Sequence, residues 1–370
     1  MSTRAMIMAA GVGSRLEPLT SCKPKPMVPV GNKPVMEHIL VVLKKHNITD
    51  IIANTHYLAD QITNYFKYNT PEGINLELLH EKELSGTAGG VKKCEKFLNK
   101  NDTFVVMSGD SLTDVDLDSL IEKHKKAGAM ISMGLKAVLK EDVANLGVVV
   151  TDTNGKILEF QEKPPIEEAK SNMVNTGIYI FEPELFKYIP ENTFYDFAKQ
   201  VFPNAMNDNK PLYGFEIKEY WNDIGTLLQY RLSSYDVLKQ KINIKTAGEP
   251  FEHGWKDGNV MIGENISFKD KVLIGGNCMI ENNVIFENYV TLGANCIVCE
   301  GTKLNGCITW DNVRIGKNVT LNKCLIGNNV NISDGAIIEE GAIIADNCSI
   351  RAGVTVKSGT KLKPNELLVK

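Results

Sequence analysis

Ala9-Ala10-Gly11-Val12-Gly13-Ser14-Arg15-Leu16, followed shortly by Pro24-Lys25-Pro26, is the stretch on which the fold turns. Ala5 to Ala9 just before it is a short apolar run of the kind that makes a buried strand. A strand that empties into two glycines presents bare backbone N–H groups in a concave turn, a surface suited to phosphate. Arg15 and Lys25 add two fixed positive charges near those amides. A ligand carrying a polyphosphate is the expectation.

Two familiar phosphate loops are excluded. A Walker A loop ends in Gly-Lys-Ser/Thr, whereas Gly13 is followed by Ser14-Arg15. The dinucleotide fingerprint needs a third glycine where Leu16 stands. From Gly11 to Met27 the pattern Gly-x-Gly-Ser-Arg-Leu-x-Pro-Leu-Thr-x-x-x-Pro-Lys-Pro-Met instead resembles the signature of the sugar-1-phosphate nucleotidylyltransferases. That resemblance implies that Ala9, Ala10, Gly11, Gly13 and Ser14 wrap a nucleoside triphosphate. It implies that Arg15 grips the outer phosphates and Lys25 contacts the phosphates at the reacting centre.

The chain has 370 residues, enough for two domains with separate cores. A net charge of -4 with 23% charged residues describes a mixed surface, so a nucleic-acid partner is not expected. The first apolar run is too short for a signal peptide, and no run approaches the roughly 18 apolar residues of a membrane span. Cys296-Ile297-Val298-Cys299 has zinc-ligand spacing but lacks a second pair or a nearby histidine. The eight cysteines therefore read as reduced core thiols of a cytoplasmic protein.

Two periodicities divide the chain. Up to about residue 240, apolar runs such as Asp50 to Asn54, Leu76 to Leu79 and Thr103 to Met107 alternate with helical patterns. The helical stretches are Pro34 to His46, Leu58 to Phe66 and Ala88 to Leu98. Such alternation predicts a Rossmann-like, mostly parallel α/β sheet with helices on both faces. Ligands of such sheets sit outside the carboxyl ends of the strands, where the glycine stretch lies. From Val260 the period becomes six: Val260, Ile266, Val272, Cys278, Val284, Val290, Cys296, Thr302 and Ile308, each followed two residues on by another side chain of the set ending at Trp310. The register slips by one at Val313 and again at Val330. This resembles the hexapeptide repeat of left-handed parallel β-helices. A nucleotidyltransferase domain over 1–250 and a β-helix over 251–370 are predicted.

Joining a triphosphate to a sugar phosphate brings two anions together, so metal, cationic clamps and alignment matter more than a base. Mg²⁺ is the expected cofactor, since it takes hard oxygen ligands and needs only one or two carboxylates. Asp110 ends an apolar strand through Ser108-Gly109 and would hold a carboxylate at the ligand edge; alone it could equally be a helix cap. In the family this Gly-Asp supplies a metal ligand, and a second comes from a Trp-x-Asp-x-Gly-Thr segment, here carrying Asp223. Gly86 and Thr87 match the Gly-Thr-Ala-Gly loop that contacts base and ribose. Glu162-Lys163-Pro164, Asn175 and Gly147 match the elements that hold the sugar phosphate.

The resemblance implies transfer of a nucleotidyl group from a nucleoside triphosphate to a sugar 1-phosphate, releasing pyrophosphate. Gly-Thr-Ala-Gly and Asn175-Thr176-Gly177-Ile178-Tyr179-Ile180 make GTP and mannose 1-phosphate the first choice of substrates. UTP, dTTP or ATP with glucose 1-phosphate is the alternative, as is a non-catalytic regulatory subunit. Among hexapeptide coils some transfer acyl groups, but no histidine follows His253, so an assembly role for the coil and a homo-oligomer are expected.

Overall fold

A computed structural model describes residues 3–100 and 102–369. The chain forms two compact units: 1–12 with 35–223, and 13–34 with 224–370. The segment carrying Gly13, Arg15 and Lys25 leaves the sheet domain and joins the unit that holds the coil.

The first unit is built on a nine-stranded sheet. Its strands are β1 (Arg4–Met8), β2 (Asp50–Thr55), β3 (Asn75–His80) and β4 (Phe104–Ser108). After the short β5 (Ser111–Thr113), which lies outside this sheet, come β6 (Ile131–Ala137), β7 (Gly147–Thr151), β8 (Ile157–Glu162), β9 (Met173–Phe181) and β10 (Leu212–Glu216). The order runs β8-β7-β9-β4-β1-β2-β3, with β6 bridging β9 and β10. β3, β2, β1 and β4 are parallel to one another, as the alternation predicts, and β9 then enters antiparallel to β4. Ala5, Met6 and Ile7 of β1 and Phe104 to Met107 of β4 are completely buried, which explains their unbroken apolar runs. Helices α1 (Val35–Lys45), α2 (Ala59–Asn69), α3 (Gly86–Lys93) and α4 (Leu117–Ala127) fill the connections. Pro34 lies in the short strand Lys33–Pro34 just ahead of α1 rather than in its first turn. The helical stretch from Ala88 to Leu98 is broken at Cys94.

In the second unit the hexads form three parallel sheets of eight, seven and six strands, a triangular coil. The eight-stranded sheet starts with an antiparallel hairpin, Glu249–Phe251 with Gly254–Lys256. Val272, Cys278, Val284, Val290 and Cys296 line its interior with 1% exposure or less, together with Ile274, Ile280 and Phe286 two residues after a hexad position. Corners are turned by asparagines at positive φ, among them Asn277 (59°), Asn295 (57°) and Asn347 (63°). Asparagine tolerates this region because its short amide bonds locally. Its side chains also stack, Asn277 donating to Asn295 at 3.2 Å and Asn329 to Asn347 at 3.1 Å.

The register differs from the sequence reading at two points. Cys307 and Cys324, not Ile308 and Leu325, face the interior. The coil shortens there by one residue: Thr291 pairs with Ile308, and Ile308 with Leu325. Ile308 and Trp310 face outward yet are only 2% and 3% exposed. Trp310 lies against α5 (Leu227–Leu238), whose Tyr230 hydroxyl accepts a hydrogen bond from Trp310 Nε1 at 2.8 Å. An apolar residue on a covered outer face imitates an inward one, and that hides the slip. All eight cysteines are unpaired and seven are buried. Among the described residues no helix is long and apolar enough to cross a membrane.

Candidate active site

Where β1 ends, its ladder gives way to one side-chain bond and one last backbone bond. Ala9 N donates to Asn54 Oδ1 at 3.0 Å, and Gly109 N donates to Met8 O at 2.9 Å. A Cβ on Gly109 would lie 2.7 Å from that carbonyl, so only glycine brings the β4 end this close to β1. Ala9 and Ala10 are buried there and Gly11 is exposed. Asn54 is held in turn by Glu81, whose Oε1 accepts from Asn54 Nδ2 at 2.5 Å. Ser85 Oγ and Lys93 Nζ both donate to Glu81 Oε2, the lysine at 2.8 Å. Burial raises the Glu81 carboxyl, but the bonds from Lys93, Ser85 and Asn54 outweigh it and hold the group below its usual value. The sequence reading missed Glu81 and Lys93; the one available signal was a polar Asn54 closing an apolar strand.

Asp110 follows directly. Ser108 Oγ donates to its Oδ1 at 2.6 Å, fixing the carboxylate's rotation. β11 (Trp221–Asp223) pairs antiparallel with β5, and Asp223 stands opposite Ser111, the neighbour of Asp110. Register thus brings the two expected metal ligands to adjacent positions. Carboxylates at these two positions would offer the hard oxygens that Mg²⁺ takes. β11 is anchored by Trp221 Nε1 donating to Thr176 O at 3.0 Å and Tyr220 N donating to Asp114 Oδ1 at 2.8 Å. Just upstream, Lys136 Nζ donates to three consecutive carbonyls, Ile217 O and Lys218 O at 3.2 Å and Glu219 O at 2.6 Å. An ammonium has three donors, and all are used.

A second acidic cluster lies elsewhere in this unit. His46, Asp116 and Asp118 form the one group of three potential metal ligands among the described residues. His46 Nδ1 bonds Asp118 at 2.8 Å, and Asp116 caps α4 by accepting from Ser119 N. Those roles are structural.

The residues expected to hold the sugar phosphate lie on β7, β8 and β9, with Lys163 just past the end of β8. Gly147 is paired with Glu162, and a Cβ at 147 would lie 3.4 Å from Glu162 Oε2. Val174 pairs with Val148, which sets Asn175 in the next row. Lys163 has a left-handed φ of 49°, and its Nζ lies 3.6 Å from Glu162 Oε1. Asn175 Nδ2 donates to the Tyr179 hydroxyl at 2.8 Å, and its Oδ1 accepts from Gly177 N at 3.0 Å. Gly86 opens α3 at φ 78°, where a Cβ would stand 2.4 Å from Tyr195 O. Thr87 Oγ1 donates to Asp196 Oδ2 at 2.9 Å and accepts from Phe197 N at 3.0 Å.

Within the second unit the cationic loop closes on itself. Gly13 has φ 75°, and a Cβ there would be 2.8 Å from Lys25 Cβ. Thr20 Oγ1 donates to Gly13 O at 2.9 Å. Ser14 and Arg15 are exposed on the short turn Ser14–Leu16, whereas Lys25 is 7% exposed. The left-handed glycine and the lysine between two prolines are therefore one constellation, as the motif implies.

A mostly parallel α/β sheet whose first strand runs into a glycine stretch is the architecture of nucleotide-binding proteins. The nucleotidyl transferase family model matches residues 4–240, and the chain belongs to that family. A second model, the EIF2B subunit epsilon LbH domain, matches 252–356, in accord with a left-handed β-helix. A UTP–glucose-1-phosphate uridylyltransferase of Synechocystis is 37% identical over 331 residues, covering 86% of this chain and 85% of its own. A mannose-1-phosphate guanyltransferase of Debaryomyces hansenii is 33% identical over 266 residues, 70% of this chain and 71% of its own. Among solved structures, a putative glucose-1-phosphate thymidylyltransferase from Bacillus anthracis superposes with TM-score 0.58 at 27% identity, over 66% of this chain and 98% of that one.

Proposed function

We propose that the protein transfers a nucleotidyl group from a nucleoside triphosphate to a sugar 1-phosphate. The observation that supports the reading is the pairing of Asp223 opposite Ser111, which brings the Trp-x-Asp segment beside the strand end that follows Asp110 although the two are more than a hundred residues apart. An ionised oxygen of the sugar phosphate attacks the α-phosphorus. The bond from that phosphorus to the bridging oxygen breaks, and its electron pair leaves with pyrophosphate. The attacking oxygen is already charged at neutral pH, so no side chain need take a proton. Mg²⁺ held by Asp110 and Asp223 would neutralise charge on the phosphates. Arg15 and Lys25 hold the triphosphate against the amides of Ala9, Ala10, Gly11, Gly13 and Ser14. Gly86 and Thr87 face the nucleoside, and Gly147, Glu162, Lys163 and Asn175 orient the sugar phosphate.

Two substrate pairs have specific support. UTP with glucose 1-phosphate takes first place, because the Synechocystis relative of that name matches across both the sheet domain and the coil. GTP with mannose 1-phosphate, the first choice from the sequence, is supported by several relatives named mannose-1-phosphate guanyltransferase. Base identity rests on a few pocket hydrogen bonds. Pyrophosphate release from UTP, GTP, dTTP and ATP, each with glucose and mannose 1-phosphates, decides between them. Turnover with none of the eight pairs would defeat the assignment. A regulatory subunit is disfavoured because Arg15, Lys25, Asp110, Lys163 and Asp223 are all retained. The same reading includes a domain boundary near 250, a cytoplasmic location and a homo-oligomer formed through the coil, which light scattering tests.

A further inference from the structure

The segment 13–34 is fastened to the coil at three points. Tyr230 on α5, completely buried, donates its hydroxyl hydrogen to Pro29 O at 2.8 Å and accepts from Trp310 Nε1 at 2.8 Å. One hydroxyl thus joins the loop backbone to an outward-facing tryptophan of the coil. Lys23 Nζ stands 5.3 Å from the centroid of the same indole ring. Asn32 Nδ2 donates to Leu292 O, a coil backbone carbonyl, at 2.7 Å. Lys25 sits between the first two fastenings, in a buried turn closed by Met27 N to Pro24 O at 2.8 Å and Val28 N to Lys25 O at 3.1 Å. Its side-chain stem abuts Gly13, whose carbonyl Thr20 holds. Any shift of Pro29 or Lys23 is therefore passed along a short, closed ring to Lys25 and the glycine turn.

We propose that the coil is the seat of the triphosphate-gripping loop, with Trp310 and Tyr230 as positioning residues that act on Lys25 and Arg15 through the backbone of 13–34. The proposal rests on the reading that this loop binds the triphosphate. It gives the coil a part in substrate binding beyond assembly. Neighbouring contacts agree: the Cys22 thiol is pushed up by burial and then by the Asp346 carboxylate of the coil. The residues assigned to the sugar phosphate lie on β7, β8 and β9 of the other unit and make none of these contacts. Disturbing the relay should weaken one ligand and spare the other.

The test uses the full chain and two probes, inorganic tripolyphosphate with Mg²⁺ and the sugar 1-phosphate that supports turnover, each titrated calorimetrically. Trp310→Phe and Tyr230→Phe should each weaken tripolyphosphate roughly five- to tenfold, the size of one lost hydrogen bond. The double variant should be little worse than the poorer single, because both belong to one relay. Sugar-phosphate affinity should stay within about twofold, a split that general destabilisation would not produce. Folded variants that bind tripolyphosphate like the parent, or that lose both ligands equally, overturn the proposal. Should either aromatic variant fail to fold, Lys23→Met and Asn32→Ala, at half-buried positions on the loop, carry the same expectation and the same refutation. Lys25→Ala is the control. If it binds tripolyphosphate normally, the loop reading fails and the seating falls with it; if it loses binding while the relay variants do not, the seating alone fails.

Discussion

The paired carboxylates and the paired cations rest on different kinds of support. Asp223 is held by strand register opposite Ser111, a ladder of backbone bonds, and Asp110 stands beside that ladder with its carboxylate bonded by Ser108. Gly13, Arg15 and Lys25 stand on irregular backbone held by a few side chains, chiefly Thr20, Tyr230, Trp310 and Asn32. A ladder spreads a perturbation over many bonds, whereas a tethered loop concentrates it in a few. The proposed metal site should therefore tolerate changes nearby better than the proposed phosphate loop does.

The strongest way to break that comparison is to remove the charges themselves. Lys25→Ala and Asp223→Ala should each lower turnover by on the order of 10² to 10³, the usual effect of deleting a group that meets transition-state charge. Pyrophosphate release measures this, and melting curves should stay close to the parent's. Unchanged turnover in both variants would return the protein to a sensing role. Lys136→Met probes a side-chain tether on the carboxylate side. Releasing the carbonyls of 217–219 should raise the Mn²⁺ concentration for half-saturation about tenfold, as loss of outer support to a metal ligand does. Mn²⁺ binding followed by electron paramagnetic resonance reads it directly, and no change would mean the ladder alone suffices.

Gly13→Ala sharpens the loop side. A left-handed φ costs an alanine about 1 kcal/mol, and here the new methyl also meets the Lys25 stem. Melting a few degrees lower with a raised KM for the triphosphate is expected; a neutral result would show the loop to be looser than its packing. The smallest effect concerns pH. His124, 1% exposed, lies between Ser132 Oγ at 2.8 Å and Glu182 Oε1 at 3.1 Å. Burial holds its imidazole below the ordinary value despite the glutamate. Its contribution to stability is therefore present above the unfolded value near 6.5 and is lost as pH falls toward the folded one. His124→Gln should flatten that part of the stability–pH curve, measured by urea unfolding from pH 7.5 to 5.

What the sequence disclosed follows the same division. Gly13, Gly86 and Gly109 were legible because each answers a local need, a positive φ or a close backbone approach. Asp110 was legible because it ends an apolar strand. Glu81, Lys93 and Lys136 were not, because their roles depend on partners far along the chain that no period or motif announces. The hexad repeat gave the coil and the number of its short turns, but set each slip one hexad position late, at Val313 and Val330 instead of Cys307 and Cys324. Ile308 and Trp310 are buried on the coil's outer face, Trp310 against Tyr230, and so resemble interior residues. Least legible was the loop's allegiance, since nothing in residues 13–34 by themselves says that they pack with the coil.

Crystals soaked with Mn²⁺ and a non-hydrolysable triphosphate analogue test the carboxylate pair most directly, because anomalous scattering locates the ion without assumptions. The account predicts a peak bonded to both Asp110 and Asp223 and to phosphate oxygen. A peak at His46, Asp116 and Asp118 instead, with the two strand-end aspartates bare, would contradict it.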